Sequence, residues 1–121
     1  MKKILVIDDE NSIRLLLKKM LEREGFDVMT ASDGKEGMDI ISKAAFDLVI
    51  TDIVMPEKEG IEIIMELKKG YPDIPIIAIS GGGVVIPEMY LDLAEKLGAV
   101  HTFSKPIDKE TLVSTIKEIL S

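Results

Sequence analysis

The sequence predicts an α/β fold: a doubly wound, five-stranded parallel sheet of order 2-1-3-4-5, with five helices on its faces. Two observations carry this. Five short apolar runs alternate with five stretches of helical periodicity, with no linker or repeat between them. The first run, Ile4-Leu5-Val6-Ile7, is continuously apolar, as a strand buried on both faces must be. Right-handed crossovers between parallel strands then spread the helices over both faces. At 121 residues the chain can bury a proper core, and residues 1–121 are expected to form one domain.

After the first strand, Ile13, Leu16, Leu17, Met20 and Leu21 recur at helical spacing, and Gly25 stands where that helix should close. Residues 26–31 read as the second strand, and residues 34–42 as a short helix with Met38 and Ile41 inward. Residues 46–51 form the third strand; Ile61, Ile64, Met65 and Lys68 then mark a helix ending at Gly70. Residues 74–79 are the fourth strand. Pro87, suited to a first helical turn, opens a helix with Tyr90, Leu93, Ala94 and Leu97 on one face, closed by Gly98. Residues 100–103 make the fifth strand, and Leu112, Ile116, Ile119 and Leu120 line the last helix.

Composition narrows the function. Apolar residues make up 46% and charged residues 31%, a globular rather than a disordered balance. The net charge of −7 repels nucleic acid, so direct binding to DNA or RNA is not expected. With no cysteine there is no thiol or disulfide chemistry. Only four apolar residues separate Lys3 from Asp8, too few for a signal-peptide core, and no run is long enough to span a membrane. A cytoplasmic location is the default expectation.

Chemistry-bearing residues gather where the strands stop. Asp8-Asp9, Asp52, Ser80 and Lys105-Pro106 each follow an apolar run, so a parallel sheet brings them to its carboxyl edge, where such folds place their ligands. Asp8, Asp9 and Asp52 meet at the switch point between the first and third strands. Two unit charges about 4 Å apart repel by roughly 4 kcal/mol at an effective dielectric of about 20. Lys105 offsets one charge, and a hard divalent cation such as Mg²⁺, which prefers oxygen ligands, would offset two more. His101 is the only histidine, so no zinc ligand set exists. Carboxylates, a hydroxyl and an ammonium around Mg²⁺ suit phosphoryl transfer to a carboxylate nucleophile.

Here the chain resembles the receiver domains of two-component response regulators. The segment from Ile4 to Glu10 is similar to the acidic motif that ends the family's first strand, and Thr51-Asp52-Ile53-Val54-Met55-Pro56 with Gly60 to its phosphoacceptor motif. Ser80-Gly81 and Lys105-Pro106 match the hydroxyl and lysine motifs. The resemblance covers nearly the whole chain and implies the flavodoxin-like version of the fold. It implies that Asp52 accepts a phosphoryl group from a histidine kinase or phosphotransfer protein. Asp8, Asp9, Asp52 and the Val54 backbone carbonyl would hold Mg²⁺, with Asp8 acting largely through a bound water. Ser80 would hydrogen-bond a phosphoryl oxygen, Lys105 would pair with Asp52 and then with the phosphoryl group, and Lys105–Pro106 would be cis. The chain would catalyse only its own phosphorylation and dephosphorylation. Output would pass to a downstream protein by contact, a phosphorylation-dependent homodimer being a further option.

Taken singly, these residues have plainer readings. Asp9 could cap the first helix, Asp52 could belong to an ordinary turn, and Lys105 could be a solvated lysine. Their coincidence at one edge favours the site. The chain also departs from the family. Thr102 stands where an aromatic usually swings inward, and Phe103 should face the opposite side of the strand. The Gly81-Gly82-Gly83 run suggests that a loop reorders on activation instead, and Val84, Val85 and Ile86 offer a contact for a partner. Val54 and Gly82 cannot orient an attacking water, which implies a long-lived phosphoaspartate. Output by contact is the reading if the last helix ends the whole chain; a DNA-binding or enzymatic domain beyond it is the other option left open. The alternative is a pseudo-receiver, a binding module with this fold that is never phosphorylated; a flavin protein or phosphohydrolase would need aromatics or a general base that the edge lacks.

Overall fold

The computed structural model describes residues 1–53, 59–80 and 88–121. Val54, the residues 81–87 that contain the glycine run and Pro87, and the side chain of Tyr90 lie outside the described residues. Strands β1 (Lys3–Ile7), β2 (Asp27–Ala31), β3 (Leu48–Asp52), β4 (Ile76–Ser80) and β5 (Ala99–Ser104) alternate with helices α1 (Asn11–Arg23), α2 (Gly34–Lys43), α3 (Glu59–Gly70), α4 (Glu88–Leu97) and α5 (Lys109–Leu120). All strand pairs are parallel, and the order is β2-β1-β3-β4-β5, as the sequence predicts.

The sheet divides the core in two. Successive side chains of a strand point to opposite faces, so Leu5 and Ile7 of β1 join one cluster while Ile4 and Val6 join the other. On the first face Ile41 of α2, Ile63, Ile64 and Leu67 of α3 and Ala94 of α4 cover the sheet. On the second, Leu17, Met20 and Leu21 of α1 meet Leu112, Val113 and Ile116 of α5. β1, β3 and β4 are covered on both sides, which is why each carries an unbroken apolar run, over residues 4–7, 48–50 and 76–79.

Three side chains expected to face inward are exposed instead: Leu16, Met65 and Leu93, at 55%, 52% and 40%. Each precedes or follows a buried residue by one position (Leu17, Ile64 and Ala94), a step of about 100° around a helix, enough to leave the buried stripe. On α3 the missed inward residues are Ile63 and Leu67. The helix stops match: Gly25 has φ +92° and Gly98 has φ +128°, a left-handed region that only glycine enters freely. At Gly37 of α2, an added Cβ would come within 2.5 Å of the Ile7 side chain, so helix and strand approach closely there.

β5 carries the other local departure. Ile76 pairs with Ala99 but Ile77 pairs with His101, so Val100 bulges out of the ladder and is exposed. Beyond the bulge the alternation is as expected. Phe103 packs on the α1–α5 cluster and stacks on His101, while the Thr102 hydroxyl donates to Glu95 Oε1 of α4 at 3.3 Å.

Candidate functional site

The strands deliver the predicted residues to one edge. Asp8 follows β1 directly, Asp52 and Ser80 are the last residues of β3 and β4, and Lys105 follows β5. Asp52 and Ser80 thus lie inside their strands, one residue further than their apolar runs suggest, because pairing depends on the backbone and not on side-chain polarity. Main-chain bonds also run past the strand ends. Asp8 N–H donates to Ala31 O (3.1 Å), Ile53 N–H to Ile79 O (2.9 Å) and Lys105 N–H to Ser80 O (2.6 Å). The site residues are pinned through their backbones, and the Lys105–Pro106 bond is cis, as expected.

Asp8, Asp52 and Ser80 are buried, and the Lys105 side chain is only 6% exposed. Lys105 Nζ lies 3.1 Å from Asp52 Oδ2, 3.1 Å from Asp8 Oδ2 and 3.0 Å from Glu10 Oε1. Its directed hydrogen bonds go to Glu10 and Asp52; the approach to Asp8 is an ion contact of poorer angle, and Asp8 Oδ2 is buried with no hydrogen-bond donor. The other Asp8 oxygen accepts the Glu10 N–H at 2.9 Å. Ser80 stands one residue beyond Ile79, the partner of Asp52 across the ladder, so its backbone lies beside the end of β3 at the same edge.

Burial pushes the Asp8 carboxyl above the usual carboxylate value, against the pull of the Glu10 N–H and Lys105. Burial acts first on Lys105 too and would lower it; its hydrogen bonds to Glu10 and Asp52 and the charge of Asp52 outweigh that and hold the ammonium above its ordinary value. It is therefore charged across the physiological range.

Carboxylate oxygens of Asp8, Asp9, Glu10 and Asp52 all come within 4.8 Å of one another. Four such charges exceed the one ammonium of Lys105, the donors are hard oxygens, and Asp8 Oδ2, buried with only the ion contact to Lys105 and no directed hydrogen bond, has room for a cation. The residues fit a divalent metal. Asp9 is exposed and does not cap α1, whose N-cap residue is Glu10 without a side-chain capping bond. Two contributors were given no role in the sequence reading, Glu10 although it stands in the acidic motif. Glu10 extends the acidic run to three residues, a visible signal, but its contact with a residue 95 positions away is not. Arg14 of α1 donates to the Asp8 carbonyl at 2.6 Å and to Asn11 Oδ1 at 3.1 Å, bracing the turn that carries Asp8 and Asp9.

Comparison with known proteins agrees with this architecture. The family model described as the response regulator receiver domain matches residues 4–117. The chain belongs to that family. This receiver domain is 35% identical over 120 residues to the transcriptional regulatory protein CpxR of Escherichia coli, a match covering 99% of the chain and 50% of CpxR. It thus spans about half the length of several curated relatives it matches. It is also 33% identical to sporulation initiation phosphotransferase F of Bacillus subtilis, covering 98% of the chain and 93% of the relative. Among solved structures, a receiver domain from Clostridium thermocellum superimposes with a TM-score of 0.88 at 36% identity, over 99% of this chain and 94% of the other. Chemotaxis protein CheY4 of Vibrio cholerae gives a TM-score of 0.87 at 33% identity, over 99% of both chains. Receiver domains of this family generally serve signalling rather than substrate turnover. Among the described residues no helix is long and apolar enough to cross a membrane.

Proposed function

We propose that this receiver domain is a switch set by phosphorylation of Asp52. The observation that carries the reading is the buried Asp52 carboxylate with a lysine ammonium 3.1 Å from its Oδ2, at the edge of a parallel sheet. An Asp52 oxygen attacks the phosphorus of a phosphohistidine on a histidine kinase or phosphotransfer protein. The O–P bond forms as the P–N bond breaks, and the bonding pair leaves on the imidazole, which takes a proton from solvent. The Lys105 ammonium follows the incoming charge, and the Ser80 hydroxyl donates to a phosphoryl oxygen. The clustered carboxylates of Asp8, Asp9 and Asp52 would hold Mg²⁺, with the Val54 carbonyl that the family resemblance implies, and when bound it neutralises charge on the phosphoryl oxygens.

The relative matched over nearly its whole length is named a phosphotransferase, which supports a role in passing phosphoryl groups between proteins. Several others are named transcriptional regulators, and the chain spans only part of them. Output from this domain itself goes by protein contact, to another protein or to a further domain, since a net charge of −7 suits no nucleic-acid surface.

The decisive experiment is incubation with an acyl phosphate and Mg²⁺, read by intact mass. One phosphoryl group is gained, and none in Asp52→Asn. No gain in the natural sequence would make the domain a pseudo-receiver.

A further inference from the structure

Lys105 is held by three carboxylates, and two of them have other work. If Asp52 takes a phosphoryl group and Asp8 turns toward a cation, both release part of their hold on the ammonium. Lysine has a flexible four-carbon stem, and ordering it costs rotamer entropy. Something else must keep Nζ in place. Glu10 is so placed: its Oε1 accepts from Lys105 Nζ at 3.0 Å, from the open side of the pocket, with its side chain 42% exposed. An ammonium has three donors, so a bond to Glu10 leaves two for the phosphoryl group.

We propose that Glu10 is a positioning residue that tethers the Lys105 ammonium at the pocket mouth while Asp8 and Asp52 engage a cation and a phosphoryl group. The inference rests on the phosphoacceptor reading above and adds a residue to it. Glu10 touches neither phosphorus nor the attacking oxygen; it acts through Lys105. Its backbone N–H is already committed to Asp8 Oδ1, which fixes the root of the side chain beside the pocket. Its side chain caps nothing on α1, so shortening it removes the tether without removing a helix cap.

The experiment uses the whole chain, Glu10→Ala, which loses reach and charge, and Glu10→Gln, which keeps the reach and an accepting oxygen. One readout is the ¹⁵N signal of the Lys105 ammonium with Mg²⁺ present. It is expected to be sharp and slowly exchanging in the natural sequence and in Glu10→Gln, and lost to exchange in Glu10→Ala. The other is phosphorylation by an acyl phosphate at saturating Mg²⁺, expected to slow about tenfold in Glu10→Ala and to return to within about threefold in Glu10→Gln. A natural rate in Glu10→Ala overturns the proposal, as does a Gln variant as slow as the Ala variant, which would make charge and not contact the operative property. Should the natural protein gain no phosphoryl group, the phosphoacceptor reading fails separately, and a persistent Lys105 signal in Glu10→Ala still overturns the tether.

Discussion

Lys105 Nζ and Asp52 Oδ2 stand 3.1 Å apart, though 53 positions separate them in the chain. Both side chains are almost fully withdrawn from solvent. Their pairing is therefore governed by desolvation, and removing one member leaves the other charged and stranded.

Lys105→Met is accordingly expected to destabilise the metal-free domain by about 3 kcal/mol, because Asp8 and Asp52 remain buried without their shared counter-charge. Adding Asp52→Asn to Lys105→Met recovers much of that loss. Urea midpoints of the two single variants and the double variant measure the coupling.

Asp8 predicts a pH dependence. Its carboxyl sits above the ordinary 3.8 in the folded chain, chiefly through burial, so the folded state holds the proton more tightly than the unfolded state. Its contribution to stability is fully present below the unfolded value and is lost as pH rises through the folded one. Metal-free protein should therefore gain stability as pH is lowered from neutral into that window. Asp8→Asn is expected to be the more stable form at neutral pH and to lack this gain; equal pH slopes in the two proteins would count against it.

The acidic pocket predicts a metal dependence. Mg²⁺ bound only by the folded chain stabilises it by about 2.7 kcal/mol when supplied at about 100 times its Kd. The Tm should rise with Mg²⁺, fall back on chelation, and respond less in Asp9→Asn. A Tm indifferent to Mg²⁺ in the natural protein would exclude the cation site.

Gly37→Ala tests the close approach of α2 to β1. The new Cβ would lie 2.5 Å from Ile7 Cδ1 and 2.9 Å from Cγ1, so Ile7, next to Asp8, has to shift. The expected cost is about 1–3 kcal/mol, seen as a lower urea midpoint with an unchanged slope.

Most of the sheet could be read from the chain because burial on both faces leaves a one-dimensional mark, the unbroken apolar run. Ile4 to Ile7 shows it plainly, and so do Leu48 to Ile50. Helix faces were less legible. Leu16 and Met65 are as apolar as their buried neighbours, and only the direction in which each helix lies on the sheet decides which is covered. The gathering of Asp8, Asp52, Ser80 and Lys105 at one edge was legible because each stands at a strand end. Glu10 and Arg14 were not, because they serve through the reach of long side chains across a turn, and chain order carries no record of reach.

The main-chain bonds that run past β1, β3 and β5 have a consequence for how this edge can change. Asp8, Lys105 and Ile53, the residue after Asp52, are each fixed by an amide that any residue but proline would supply. Shape is written in the backbone and reactivity in the side chains. The socket can thus exchange its acids and bases one at a time without being rebuilt, so a chemically silent domain and a reactive one could share the same walls.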